Sequence, residues 1–541
     1  MWAHDPVVVI GAGPVGQTTA LLLARWGVPS IVLDRRPERD AVGSKAICQH
    51  RDVLDVWEAV GAGRRIADEG VTWTTARTYH HGAELFSQTI ADPGRSAFPP
   101  FVNISQCRTE QVLDERIAAQ PLIEVRWGRE VTGISQDDHG VTVDAGGAVR
   151  GSYAVVCAGA RSDLLRRGLG VSFEGHSFDD RFLICDIRAE LPGWANERRF
   201  HFDPEWNPGR QVLIHPCPDS TFRIDWQVPA GYDLDAETAS GALDARIRRI
   251  IGDVPYEVVW SSVYRFHSRA VDRMRCGRVL LAGDTAHLVS PFGARGLNSG
   301  VADAENAAWK IAWVGYGRAP EALLETYHDE RHAAAVENIE VTTATMDFLV
   351  PPDAERARYR ADVLSRAASD PEARARVDSG RLSEPFWYVD SPLTTPDPDR
   401  RFAGRPPRGQ APPPGPGVLV PDGPATLPDG TPTRLRALAR DGFLLLLGTG
   451  ADDAAARAVA QEQPGPVRVL SLDALDGEEA GPAEILGARP GEVWVVRPDA
   501  HVAAVLHRPS RDDLAAALAR ATARTVRPRE ENPDGVLPAR R

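Results

Sequence analysis

The stretch Val7-Val8-Val9-Ile10-Gly11-Ala12-Gly13-Pro14-Val15-Gly16-Gln17-Thr18-Thr19-Ala20 decides the fold. Four apolar residues run into three glycines at G-x-G-x-x-G spacing, and a helical run to Gly27 follows. Gly11 permits the tight turn, Gly13 lets the backbone approach a pyrophosphate, and Gly16 allows the helix to pack close to the strand. Phosphates then rest on the helix N-terminus, which opens at Pro14. A second apolar run, Ser30 to Leu33, ends in Asp34, eighteen residues after Gly16, where a carboxylate can accept both hydroxyls of an adenosine ribose. Its charge would repel a 2′-phosphate, so the pocket suits FAD or NAD and not NADP, although Arg35 and Arg36 leave room for argument. A glycine-rich turn that binds nothing is the plainer alternative.

Outward from this stretch, β-like runs (Val7–Gly13, Ser30–Asp34, Tyr153–Gly159, Arg278–Asp284) alternate with helical ones (Gly16–Gly27, Ala302–Val314, Pro320–Met346), which predicts a doubly wound, largely parallel α/β sheet. Between Ser172 and Tyr264 the pattern changes to period two. Arg210–Pro216 and Thr221–Pro229, separated by Cys217–Ser220, read as an antiparallel hairpin in an inserted sheet. Proline and glycine crowd Arg405–Pro424 and mark a linker. Beyond it, Phe443–Gly448, Val467–Asp473, Glu492–His507 and the Ala-rich Arg511–Arg524 form an α/β unit of their own. The expected division is therefore residues 1–171 with 275–404, an inserted unit at 172–274, a linker at 405–417, and a C-terminal unit at 418–541.

Lys+Arg 62 against Asp+Glu 75 gives a charge of −13, and no basic block precedes a short Arg/Pro tail, which argues against nucleic acid. No apolar run reaches the roughly 20 residues that cross a bilayer. The first apolar stretch has no secretory n-region and is broken by glycines. Six cysteines lie scattered, none in a C-x-x-C pair and none after Cys276, so neither a disulfide framework nor a metal site is expected. A cytoplasmic protein is the reading.

The second strong signal is Gly277 to Lys310: GRVLLAGDTAHLVSPFGARGLNSGVADAENAAWK. A buried strand ends in Gly283-Asp284, where a carboxylate can hold a polyol, and Gly293, Gly296 and Gly300 open a long helix whose N–H groups form an anion site. A helix cap is the alternative for Asp284. His287 reads as a packed, satisfied side chain.

With both motifs in hand, the chain resembles the FAD-dependent aromatic hydroxylases, the single-component flavoprotein monooxygenases. Their later motif reads roughly G-D-A-A-H-x-x-x-P-x-G-x-x-G-x-N-x-x-x-x-D-x-x-N-L-x-W-K. Gly283, Asp284, Ala286, His287, Pro291, Gly293, Gly296, Asn298, Asp303, Asn306, Trp309 and Lys310 match it. The G-A-R-G form and the C-terminal extension resemble the phenol hydroxylase, 3-hydroxyphenylpropionate hydroxylase and polyketide hydroxylase branch. The resemblance implies a Rossmann-like FAD-binding fold, an inserted antiparallel-sheet substrate domain and a thioredoxin-like C-terminal domain. That last domain holds no cysteine, so packing or homodimerisation is its default role.

The resemblance also assigns roles. Asp284 would hold the flavin ribityl chain, Pro291 would sit near the reacting edge, and Gly296, Leu297 and Asn298 would face the flavin pyrimidine. Gln106 would contact the flavin, although a solvated helix face explains it almost equally well. Lys45 stands where many relatives have arginine, keeping the charge but losing the bidentate fork. Where the family writes C-D-G-A-R-S, this chain has Cys157-Ala158-Gly159-Ala160-Arg161-Ser162, which puts the efficiency of NAD(P)H reduction in doubt. No second nucleotide fingerprint exists, so NADPH or NADH is implied as a transient reductant. The implied activity is hydroxylation of a phenolic or polycyclic aromatic substrate by O2 through a flavin C4a-hydroperoxide.

His215 shares a strand face with Leu213, and Arg223, Asp225 and Gln227 share one on the partner strand. Such a polar set could orient or deprotonate a phenol, or be the solvent side of a half-buried sheet. Tyr264, Arg265 and His267 are weaker candidates. Baeyer–Villiger insertion, epoxidation or ring rearrangement would use the same flavin. A flavin-bearing, non-catalytic protein that binds aromatic ligands is the alternative from another class. The W-x-W-x-I-P signature expected of flavin halogenases is absent.

Overall fold

The computed structural model describes residues 2–525 apart from 41, 42, 44, 91, 93, 408, 409, 476, 478 and 479. Part of the expected linker and the Arg/Pro tail therefore lie outside the described residues. Val7–Ile10 becomes a buried strand at the centre of a six-stranded sheet, flanked in parallel by Ser30–Leu33 and Ala154–Val156. Ile123–Arg126 and Val279–Leu281 extend it in parallel, and the short Arg275–Cys276 strand closes one edge antiparallel. Helices Pro14–Arg25, Arg295–Gly315 and Ala322–Leu349 pack around it. This is the Rossmann-like arrangement.

The period-two segments form a larger sheet. Strands Phe173–Ala189, Val212–Cys217, Thr221–Val228 and Tyr256–Val271 run antiparallel, with Leu213 opposite Asp225 and His215 opposite Arg223. Two strands from far upstream, Thr75–His80 and Ala83–Thr89, join its edge through a parallel pairing with Glu197–Phe202. One face is apolar (Leu183, Cys185, Ile187, Ile214, Ile224, Trp226) and packs on helix Ala242–Ile251.

The C-terminal unit is thioredoxin-like: Phe443–Leu447 pairs in parallel with Val467–Ser471 and antiparallel with Glu492–Val496, which pairs with Val502–His507. It shares a core with the first unit, because Phe443 meets Trp309 and Trp313 edge-on. It is also bound electrostatically. Glu330, 2% exposed, accepts from Lys310 at 2.7 Å and from Arg497 at 2.5 and 2.9 Å, and Arg497 also pairs with Asp499 at 2.6 Å. Burial alone would raise the Glu330 carboxyl, but the charges of Arg497 and Lys310 win and hold it well below the usual range. Arg440 pairs with Glu305 at 2.7 Å, and Arg436 with Asp52 and, at 2.6 Å, Asp55.

Removing one member of a buried ion pair strands its partner, at a cost of about 3–5 kcal/mol. Glu330→Gln is expected to lower stability by about that amount in denaturant titration, whereas Asp453→Asn, which breaks an exposed pair with Arg457, should shift it by less than about 1 kcal/mol. Equal small effects would show that the buried network is not what anchors the C-terminal unit.

Candidate flavin site

The glycine turn is built by close approach. A Cβ on Gly11, whose φ is +106°, would stand 2.3 Å from the Cys157 carbonyl oxygen, and one on Gly16 would stand 1.9 Å from the Gly11 carbonyl oxygen. A Cβ on Gly13 would meet nothing within 4 Å. Gly13 begins helix Pro14–Arg25 with no side-chain cap, so the first N–H groups of that helix face open space. Arg39 braces the turn from outside, donating to the Ala12 carbonyl at 2.6 Å and to Glu110 and Asp114.

Asp34 lies beside that opening, accepting from the Ala12 N–H at 2.7 Å and from both ends of the Arg36 guanidinium at 3.0 Å. Burial raises its pKa, and the Arg36 and backbone hydrogen bonds more than offset this, leaving it below the ordinary value. Arg35 is exposed, so Arg36 is the cation that grips the carboxylate.

Asp284 sits in a single tight turn, Gly283–Thr285, and is exposed. Surrounding protein desolvates it and raises its pKa, against the pull of His287 and Lys45. Its orientation depends on a buried anchor beneath. Asp303 accepts from the Gly283 N–H at 2.9 Å, from His287 Nε2 at 2.8 Å and from Arg331 at 2.7 Å. Burial pushes Asp303 up, but these partners bring it down to about 2. His287 is thus a packed, bonded side chain. Arg331 reaches on to Tyr388 and Ser299.

Residues 45–50 tie several candidates together. The Lys45 carbonyl accepts from Arg223 at 3.1 Å, the Ala46 N–H donates to Gln106 at 3.1 Å, and Asn298 accepts from the His50 N–H at 2.9 Å while donating to the Cys48 carbonyl at 3.0 Å. The Asn298 side chain is therefore spent on locking helix Arg295–Gly315 to this segment. Backbone N–H groups at Gly296, Leu297 and Asn298 remain the donors of its first turn. Pro291 is exposed and its carbonyl accepts from Ala294, turning the chain into that helix. Lys45 is exposed, with its ammonium 5.9 Å from the Tyr264 ring centre. In the sheet, Arg223 is buried and paired with Asp186 through two 2.8 Å bonds. Arg265 and His267 bond within their own sheet, to the Phe178 carbonyl and Ser177. Ala158 adjoins the turn, its Cα 3.1 Å from where a Gly11 Cβ would stand.

Sequence reasoning did not single out Arg166, which is 2% exposed and organises the Ala158–Ser162 loop by donating to Ser162, the Ala160 and Thr285 carbonyls and Asp163. It also passed over Arg39, Asp186 and Arg331, and it named Arg36 only as a charge beside Asp34, not as the group that grips it. The period-two pattern could have found Asp186, which falls on the same face as Arg223. The others carry no local motif.

Open space over Gly13, a carboxylate at Asp34 and one at Asp284 that has no partner among the described residues, before a helix N-terminus, fit pyrophosphate, ribose and ribityl groups in turn. The match to the family described as FAD binding domain spans residues 4–342. The chain belongs to that family. A second match, to the aromatic-ring hydroxylase C-terminal domain, covers residues 413–525. A 3-(3-hydroxy-phenyl)propionate/3-hydroxycinnamic acid hydroxylase of Mycobacterium sp. (strain JLS) is 32% identical over 372 residues, which is 67% of this chain and 63% of that protein. The match thus spans less than two thirds of that relative. The flavin-dependent monooxygenase PieE, solved with FAD and substrate, shares the fold with a TM-score of 0.83 at 23% identity, covering 96% of this chain and 99% of its own. Aklavinone-11 hydroxylase, solved with FAD and aklavinone, gives 0.76 at 25% identity, covering 97% and 100%. No helix among the described residues is long and apolar enough to cross a membrane.

Because Asp284 makes no hydrogen bond or ion pair among the described residues, Asp284→Ala should leave the fold intact while weakening FAD retention at least about tenfold, the effect of one or two charge-assisted hydrogen bonds. Flavin occupancy after gel filtration, with circular dichroism as the control, reads both; undiminished occupancy would return Asp284 to a structural role.

Proposed function

We propose that this protein is a flavin-dependent monooxygenase that consumes NAD(P)H and O2 and hydroxylates a phenolic or polycyclic aromatic ring. One oxygen atom enters the ring, the other leaves as water, and NAD(P)H supplies the two electrons. The observation that carries the reading is the convergence on residues 45–50, where Gln106, Asn298 at the uncapped start of its helix, and Arg223 of the sheet all bond, and where the charge of Lys45 acts on Asp284. When bound, FAD supplies the oxygen-activating chemistry that no side chain here can provide.

The chain's own residues bind and orient. Asp34 takes the adenosine ribose in place of part of its Arg36 contact, and Asp284 takes the ribityl hydroxyls. The first turn of helix Arg295–Gly315 places partial positive charge where negative charge gathers on a reduced isoalloxazine ring, stabilising it without a titrating base. The aromatic cluster of Phe182, Phe200, Phe266 and Phe292, with Phe182 and Phe266 stacked at 4.6 Å, packs Phe292, the residue after Pro291, into an apolar surface. The nicotinamide binds transiently, since Gly11–Gly16 is the chain's one dinucleotide fingerprint and is taken by FAD.

Ala158 favours a second reading, a flavin-bearing aromatic-binding protein with little turnover. The two separate in one assay. The protein loaded with FAD should be yellow and, with a suitable phenol, should consume NAD(P)H and incorporate one atom of labelled O2 per product. A colourless protein that takes up no FAD would end both readings, and a yellow one inert to every phenol and quinone would favour the second. Ala158→Asp is expected to speed flavin reduction in stopped flow; an unchanged rate would show that the missing carboxylate does not limit it.

A further inference from the structure

Away from the flavin site, a small cavity opens where the first unit meets the C-terminal one. Trp313, in the last turn of helix Arg295–Gly315, and Arg318 just beyond it form one wall. Phe443, Gln463, Gly465 and Arg524 of the later unit form the other. The free polar groups here share one sign. Arg318 lies over the faces of Trp313 and Tyr316, its guanidinium carbon 5.5 and 4.4 Å from the ring centres, and its side chain donates to nothing among the described residues. Arg524 donates to the Arg318 carbonyl at 2.8 Å and to Gln463 Oε1 at 3.1 Å, both uncharged acceptors. Neither arginine forms an ion pair among the described residues, whereas Arg436, Arg440 and Arg497 at the same join are each matched by a carboxylate. Partial burial lowers the Arg524 pKa, and no carboxylate acts against it.

The third donor is Trp313. Its side chain is 1% exposed, and an indole N–H can donate but not accept. That N–H has no acceptor among the described residues, which is costly for a buried donor. Gly465 leaves it uncovered, since a Cβ there would stand 3.0 Å from Nε1 and 3.3 Å from Arg318 Cδ. The other polar side chains of the wall are already spent: Thr522 donates to the Leu518 carbonyl at 2.8 Å, and the Gln463 amide to the Val459 carbonyl at 3.2 Å. The unused side-chain capacity is therefore two guanidiniums and one N–H, all donors. Two unmatched positive charges suit a divalent anion, and guanidiniums grip phosphate oxygens in forked pairs. The cavity measures about 210 Å³ with its mouth included, below the roughly 300–1,000 Å³ that encloses a drug-sized ligand. It has room for one phosphate group and not for a whole nucleotide.

We propose that Trp313, Arg318 and Arg524 form a binding site for a divalent tetrahedral oxyanion, a phosphate either free or carried on a small ester, which bridges the first unit and the C-terminal unit. A ligand held by both units stabilises the joined state by mass action. The site is distinct from the flavin site and does not depend on the monooxygenase reading.

The test titrates the full-length protein with inorganic phosphate at pH 8 and constant ionic strength, chloride making up the balance. The protein is first loaded with FAD, so that the other phosphate-binding turn at Gly11–Gly16 is filled. Calorimetry should show one saturable site, and the melting temperature should rise with phosphate and level off. Acetate should bind at least about tenfold more weakly, and Arg318→Gln and Arg524→Gln should each weaken phosphate at least about fivefold without changing flavin content. Glycerol 3-phosphate separates the two sources. Tighter binding than inorganic phosphate assigns the site to an ester and weaker binding to the free anion, with both arginines needed in either case. Phosphate acting no differently from chloride, acetate binding as tightly, or a variant keeping full affinity would overturn the proposal. The comparison of phosphate with chloride uses the unaltered protein, so it decides even where a variant fails to fold. A protein that takes up no FAD would end the monooxygenase reading and leave the arginine-dependent phosphate site standing.

Discussion

Asp303 carries the architecture. A single carboxylate with no exposure to solvent holds the Gly283 N–H, His287 and Arg331 at once. Through these it fixes the end of one strand, the turn that follows and the helix behind. Such a group is tolerable in the interior only when every oxygen is matched. The same helix pair carries a second matched centre at Glu330, where Lys310, Arg497, Asn306 and Ser391 converge. Between the two, Tyr388 bonds with both Arg331 and Asn306. The protein therefore places its costliest interior electrostatics directly beneath the cleft, where positional accuracy matters most for holding a cofactor.

Above that base the cleft gains its shape from backbone. The two helix N-termini point their free N–H groups inward without side-chain caps, and residues 45–50 run between them as a tie rod bonded to Gln106, Asn298 and Arg223. Motion of this segment would be felt at the sheet face and the helix start together, since Lys45 contributes its carbonyl to one and Cys48 its carbonyl to the other.

The sequence disclosed what repeats locally. The Val7–Gly16 and Gly277–Lys310 motifs, the largely parallel sheet, the Arg210–Pro229 hairpin and a separate C-terminal α/β unit were legible, because periodicity and glycine spacing are short-range properties, and the thioredoxin-like character of that unit followed from the family resemblance. Edge strands were not: Thr75–Thr89 gains its place from a parallel partner more than a hundred residues away. Long-range ion pairs were equally hidden. Asp303, Asn306, Trp309 and Lys310 stood out as motif positions, yet nothing nearby foretold that Lys310 serves Glu330 and Trp309 serves Asp499. In the site, Asn298 was visible as a residue but not as a lock, and Arg166 was invisible because two of its four bonds go to the Ala160 and Thr285 carbonyls, which leave no trace in composition.

The arginines at 436, 440 and 497 have one more implication. The proline-rich stretch at 405–424 looks like a hinge between modules that evolution could separate, yet three cations of the later module lie against acids of the earlier one. The join itself can drift in length and composition, while the face it delivers is held by its counter-charges. Removing the later unit would uncover a shared core and a set of charges that have no solvent-compatible surface of their own.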